Sequence, residues 1–145
     1  MSGQPREAPA AHMNSKRPGV DDVTTVLLRP FEECDLEHVL VLYRQVFGED
    51  AALAFQHRWR WSQVDNLHPG ATHRWVLASQ GRVVGFLATI PQTYSIKGVT
   101  VLAHTPCDYM VAPEFRFHGL RLMKAFFQTC DSCFSCDDMP ATVKV

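Results

Sequence analysis

Apolar positions take on a regular period only from residue 23 onward. "VTTVLLRP" (23–30) is β-branched and apolar and closes on Pro30, which predicts a strand. In the next stretch, "DLEHVLVLYRQVFG", residues Leu36, Val39, Leu40, Tyr43, Val46 and Phe47 recur at helical spacing, with Asp35 placed to cap and Gly48 to terminate. A shorter, less regular helix is predicted over 51–62, "AALAFQHRWRWS", where Phe55 and Trp59 share a face. "VDNLHPGAT" breaks the pattern with Asn, Pro and Gly and reads as a loop. Three strands follow: "HRWVLAS" ends at Gln80-Gly81, "RVVGFLATIPQTYSI" at Lys97-Gly98, and "VTVLAHTPCDYMV" runs to Pro113. Tight glycine-bearing turns between sequential strands predict an antiparallel meander. Pro91 and Pro106 have no N–H to give a ladder, so both are expected at edges or bulges. In the last helix Leu120, Met123, Phe127 and Cys130 form a stripe, with Phe126 beside it and Arg121 and Lys124 off it. The final "SCDDMPATVKV" is irregular and ends in a short β-like alternation. The order β-α-α-β-β-β-α-(β) predicts an α+β fold, a mixed and mainly antiparallel sheet flanked by helices.

Residues 1–22 differ from the rest. Rich in Pro, Ala, Ser and charge, they hold too little apolar surface to offset the entropy of ordering. A disordered tail is expected there, followed by one domain over 23–145. The tail has no apolar core of a secretory signal, and no later run approaches the roughly 20 apolar residues of a membrane span. A membrane partner is therefore not expected, and a cytoplasmic location is. Hydrophobic content of 46% and charge of 20% are ordinary globular values, and a net charge of −1 argues against a nucleic-acid partner. The five cysteines, an odd number, fit free thiols in a reducing compartment.

The stretch with most chemistry is "VAPEFRFHGLRL" (111–122), where a strand turns through Pro113 and Gly119 into a helix. A helix N-terminus exposes unpaired N–H groups and the positive end of the helix dipole, which suits phosphate. Arg116, His118 and Arg121 add charge there, and Gly119 would let a ligand approach the backbone. A plain strand-to-helix connection with surface arginines is the alternative.

Three stretches together resemble the GCN5-related N-acetyltransferase (GNAT) family. "LLRPFEECDLEHVLVLY" is similar to that family's opening strand and helix, and "GRVVGFLAT" to its paired second and third strands. "YMVAPEFRFHGLRLMKAFF" resembles its acetyl-coenzyme A motif, in which V-x-P-E-[FY]-R precedes a [QR]-x-x-G-x-[GA] loop and helix. The likeness covers roughly 24–130 in the family's order of elements. It implies direct acetyl transfer from acetyl-coenzyme A to an amine on a small molecule or peptide. It also implies that backbone N–H groups of Arg116, Phe117, His118, Gly119, Leu120 and Arg121 hold the pyrophosphate. Met110 and Val111 would then bind the pantetheine arm and polarise the thioester carbonyl. The loop departs from the motif at its last small residue, which is Arg121. Where the family often places a basic carboxylate stands Thr105, leaving His104 and Asp108 as the nearby candidates for proton transfer. Each has a plainer reading as a solvent-facing strand residue. The family continues after this helix with a further strand, helix and usually two more strands, whereas the sequence stops at Val145. A truncated member with half of the cofactor cleft, and so a non-catalytic binding module, is the alternative expectation.

Other constellations are weaker. Cys130, Cys133 and Cys136 form C-x₂-C-x₂-C, but the C-x₃-C-P continuation of iron–sulfur sites is absent, and a zinc site would need Cys107 or Asp137 from afar. A third reading, a cysteine-site metal or redox protein, rests on that cluster alone. The plainer expectation is a core Cys130 with the other two thiols exposed. Trp59, Trp61 and Trp75 with Phe55 line either an acceptor pocket or, more often, a core. The seven histidines show no H-x₃-H pair, so no metal is expected.

Overall fold

The computed structural model describes residues 25–134, and the expected tail and the "ATVKV" alternation lie outside the described residues. Four strands, β1 (Leu27–Pro30), β2 (Arg74–Ser79), β3 (Arg82–Ile96) and β4 (Val99–Val111), form one antiparallel sheet in the order β1-β2-β3-β4. The expected first strand is shorter at its start, since Thr25 and Val26 precede β1 without ladder pairing. Both hairpins turn on residue pairs of positive φ, Gln80-Gly81 (49° and 74°) and Lys97-Gly98 (51° and 80°). Such turns match the right-handed twist of the strands they join. Pro106 sits on the outer strand β4, and Pro91 lies beyond Ala88, where the pairing of β2 with β3 ends. Both prolines thus occupy edges, as their missing N–H requires.

Three helices cover the sheet: α1 (Leu36–Phe47), α2 (Glu49–Trp59) and α3 (Gly119–Thr129). Seven consecutive residues of β3, Val83 to Thr89, are buried, so both faces of the sheet are covered. Phe86 meets Phe55 and Trp59 of α2, and the Arg74 guanidinium lies over Phe31 and Trp59, which defines the α1/α2 face. Trp75, stacked on His73, and Leu77, pressed against Gly85, point to the other face, where α3 packs.

Three local expectations are corrected. Asp35 does not cap α1: it closes a 3₁₀ turn over Glu33–Asp35, accepts the Glu32 N–H at 2.8 Å, and takes both Arg29 Nη atoms at 2.7 Å. A guanidinium fork six residues away outcompetes a single capping bond. The second helix starts earlier, at Glu49, and widens after Trp59 into a π turn over Arg60–Val64. The buried row of α3 is Gly119, Leu122, Phe126 and Cys130, while Leu120 and Phe127 are exposed. Its phase is set by Gly119, where an added Cβ would stand 2.3 Å from the Tyr109 hydroxyl and 3.3 Å from Val111 Cγ2. Only a residue without a side chain fits that contact, so Gly119 faces β4 and Leu120 turns outward.

Arg29 holds the buried Asp35 carboxyl below the usual carboxylate range. Its contribution to stability is complete above about pH 4, the unfolded value, and is lost as pH falls through the lower folded value. Asp35→Ala should cost about 2 kcal/mol at pH 7, measured as a lower urea midpoint, and should flatten the loss of stability between pH 4 and pH 2.

Candidate functional site

The site is built where β4 runs out. Ala112 N–H donates to Val84 O at 2.9 Å, and Met110 stands opposite Phe86. An antiparallel ladder alternates, so the backbone groups of Met110 turn toward β3 while those of Val111 turn to the outer edge of the sheet. Nearer its middle, β4 is met by the returning chain: His104 N–H donates to Ser132 O at 2.9 Å and Phe134 N–H to His104 O at 3.0 Å. This parallel bridge, His104 with Cys133, is the mixed element of the sheet, and it appears before the "ATVKV" where a fifth strand was expected. Among the described residues, no segment pairs with the outer edge from Thr105 to Val111.

From that edge the chain turns through a 3₁₀ segment, Pro113–His118, directly into α3. Phe115 N–H donates to Ala112 O at 2.8 Å and Gly119 N–H to Arg116 O, so the turn partners these N–H groups itself and leaves the positive end of the helix dipole at its mouth. Arg116 is exposed, its guanidinium 4.8 Å from the Phe117 ring, and pairs with no carboxylate among the described residues. Arg121, the departure from the motif, turns away instead: its Nη1 donates to Val26 O at 2.8 Å and lies 3.4 Å from His118 Nδ1. Its side chain therefore leaves the mouth of the turn clear. Phe117 and Leu120 stand free at 78% and 77% exposure.

Asp108 occupies a bulge. Between Phe86 and Ala88, the one residue Leu87 faces two on β4, Asp108 and Tyr109, and Asp108 adopts φ 53°. Its buried carboxylate accepts from Arg58 Nη2 and from the Tyr43 hydroxyl at 3.2 Å, while Arg58 also donates to Tyr43 at 2.9 Å. Burial pushes the Tyr43 phenol up, so it stays protonated at neutral pH and serves as a donor. Beside it, burial and then Asp108 push the Cys107 thiol well up, and Gln63 Nε2 contacts its sulfur at 3.7 Å. That thiol is inert at neutral pH.

On the same α1/α2 face, beyond Cys107, an open cleft of about 810 Å³ is lined by Trp61, Leu67, Ile90 and Gln92 among others. Thr105 Oγ1 reaches Gln92 Oε1 at 3.5 Å along its wall. Of the aromatic residues expected to line a pocket or a core, Phe55, Trp59 and Trp75 are core, and Trp61 alone lines this cleft.

The two proton-transfer candidates do not converge. Asp108 faces α1 and α2, whereas His104 lies on the α3 face with Nε2 2.9 Å from Ala71 O and its ring 5.2 Å from His73. Both are buried, which corrects the solvent-facing alternative for each. His73 escaped the sequence pattern because it precedes β2 while His104 lies midway along β4, on the other side of β3, a proximity that no helical spacing encodes. Burial, and then His104, push the His73 imidazole down, so it is neutral at pH 7. Cys130 is buried and Cys133 exposed, as expected, and Cys136 lies outside the described residues.

Comparison with known proteins agrees with this architecture. The family described as "Acetyltransferase (GNAT) domain" matches residues 28–134. The chain belongs to this acetyltransferase family. A Trypanosoma brucei acetyltransferase superimposes with a TM-score of 0.56 at 18% identity, over 81% of this chain and 86% of that one. AAC(6')-Iy, solved with the bisubstrate analogue CoA-S-monomethyl-acetylneamine, gives 0.56 at 18% identity, over 83% and 84%. Glucosamine-6-phosphate N-acetyltransferase from Arabidopsis thaliana gives 0.58 at 15% identity, over 82% and 86%. Among curated proteins, sequence comparison finds no match. No helix among the described residues is long and apolar enough to cross a membrane.

Asp108→Ala would leave the Arg58 charge without its carboxylate beneath the sheet edge. A loss of about 2–3 kcal/mol in urea unfolding is expected, against about 1 kcal/mol for Tyr43→Phe, which keeps the ion pair.

Proposed function

We propose that the chain binds acetyl-coenzyme A along the outer edge of β4 and transfers the acetyl group directly to an amine. The observation that carries this reading is the free edge at Val111, which leads through the 3₁₀ turn Pro113–His118 to the N-terminal end of α3 and the exposed Arg116 guanidinium. A pantetheine arm carries amide groups that can pair with an exposed strand edge, as a peptide does. Its pyrophosphate then lies over the turn of residues 116–121 at the positive end of α3, beside the Arg116 guanidinium, which pairs with no carboxylate among the described residues. The coenzyme supplies the thioester, and the chain supplies placement.

In the transfer, the amine nitrogen forms a bond to the thioester carbonyl carbon, and the carbonyl oxygen takes up negative charge. The Val111 N–H, turned to the edge, is positioned to donate to that oxygen. Expulsion of the coenzyme thiolate completes the amide, and the proton lost by the amine passes to solvent or to the thiolate. Neither His104, on the opposite face, nor Asp108, bound by Arg58 and Tyr43, is assigned that proton. Asp108 instead positions the edge. In this reading the body of the acceptor occupies the cleft beside Trp61 and Gln92, and its amine reaches along β4, past the bulge, to the thioester. Acceptors of small-molecule size are supported by the neamine-based analogue and the amino sugar in the names of two structural neighbours.

Calorimetry with acetyl-coenzyme A tests the first half. Binding is expected, and Arg116→Gln should weaken it about tenfold at low salt, as for loss of one charge-assisted phosphate contact, while Arg60→Gln leaves it unchanged. Absence of binding would sink the proposal. Thiol release with a panel of aminoglycosides, amino sugars and peptide amines tests the second half. Tight binding without release for any of them would make the chain a binding module.

A further inference from the structure

A second site lies on the far face of the sheet from the cleft. His73 immediately precedes β2, His104 sits in β4, and Cys130 follows the last turn of α3. Their ligating atoms all lie within 4.8 Å of one another. His104 and Cys130 are buried and His73 is half-buried. This is the one grouping of three such residues among those described, and nothing in acetyl transfer uses it.

The state of His104 points to a ligand. Its Nε2 faces a carbonyl oxygen, Ala71 O, which can only accept, so Nε2 carries the proton. Nδ1 is then a bare lone pair, and it is buried with no hydrogen-bond partner. A buried acceptor left unpaired is costly, and a ligand that takes up the lone pair relieves that cost. A ring that donates one N–H to a backbone carbonyl and offers its other nitrogen is the usual setting of a metal-binding histidine. His73 also makes no side-chain hydrogen bond among the described residues; only its backbone bonds, to Thr89.

We propose that His73, His104 and Cys130 bind a zinc ion, with Cys133 as the fourth ligand. Cys133 follows Cys130 at the C-x₂-C spacing of zinc sites. Its backbone is bridged to His104, so the two residues stand side by side on β4 and the returning chain. The Cys133 thiol rests on Cys130 O at 3.3 Å, outside the group of three, so its place as fourth ligand requires rotation about its side chain on binding. Imidazole and thiolate together favour zinc over magnesium or calcium, which require oxygen. Ligand atoms around tetrahedral zinc stand roughly 3.5 Å apart, so the group closes by about 1 Å on binding. The thiol protons are released to solvent as the metal binds. The site is closed by four protein ligands and is structural: it fastens the end of α3 and the returning chain to two strands.

The test uses the full chain purified without chelator. Elemental analysis should find about one zinc per chain, and cobalt substituted for it should show thiolate charge-transfer and tetrahedral ligand-field bands. His73→Gln is the cleanest variant, because His73 is half-exposed and its ring is not needed to fill the core. Without metal it should melt with the parent protein, yet bind zinc at least about a hundredfold more weakly, beyond the upper end for loss of an outer partner. Cys130→Ser should abolish the cobalt charge-transfer band from that thiolate, and Cys34→Ser, at an exposed thiol elsewhere, should change nothing. No zinc on the purified chain together with no rise in melting temperature on adding zinc would overturn the proposal. So would full zinc affinity in both His73→Gln and Cys130→Ser, which would place the metal on other thiols. Each readout is independent of acetyl transfer, so failure of one proposal leaves the other standing.

Discussion

The buried Asp108 carboxylate decides how the two ends of β4 are used. Side chains alternate along a strand, so one extra residue exchanges the faces of everything beyond it. Before the bulge Thr105 and Cys107 face the helices α1 and α2, and after it Met110 and Ala112 do. Tyr109 and Val111 are thereby delivered to the α3 face, against the one helical position, Gly119, that has room for them. Arg58 of α2 and Tyr43 of α1 hold the carboxylate from above, so two helices in one layer fix the strand edge that meets a helix in the other. An ion pair of this kind adds little net stability. It selects a register.

Much of this was legible in the chain. The meander followed from its turn residues, because Gln80-Gly81 and Lys97-Gly98 supply positive φ where a two-residue turn needs it. The two prolines announced their edges. Membership of the family was written in motifs whose order mattered more than any one of them. The phase of α3 was not legible, since Leu120, Met123 and Phe127 make as good an apolar row as Leu122 and Phe126, and a contact with Tyr109 chooses between them. Asp35 was a plausible cap until Arg29, brought near by the fold, claimed it. Arg121 stood out as the loop's departure from the family's motif, and only the position of Val26 O shows where its charge goes. The pairing of His73 with His104 crosses an intervening strand and leaves no trace in spacing.

The two faces of the sheet therefore carry different work. On the α1/α2 face the aromatic core of Phe55, Trp59 and Phe86 passes into a polar anchor at Asp108 and then into the open cleft. On the α3 face the packing ends in imidazoles and a thiol. β3 separates them with seven consecutive buried residues, Val83 to Thr89, as expected of a central strand.

The hairpin of β3 and β4 extends well beyond the reach of β2, whose pairing with β3 ends at Ala88. Its outer half, from Gln92 to Leu102, is thus a two-stranded ribbon with most residues exposed, and an isolated ribbon is marginally stable in water. Local opening costs least where few neighbours are lost. Gln92 and Thr93, which wall the cleft, belong to this ribbon, whereas Val111 lies opposite the buried centre of β3. Fluctuations of the outer ribbon can widen the cleft and admit a bulky molecule while the edge at Val111 stays rigid.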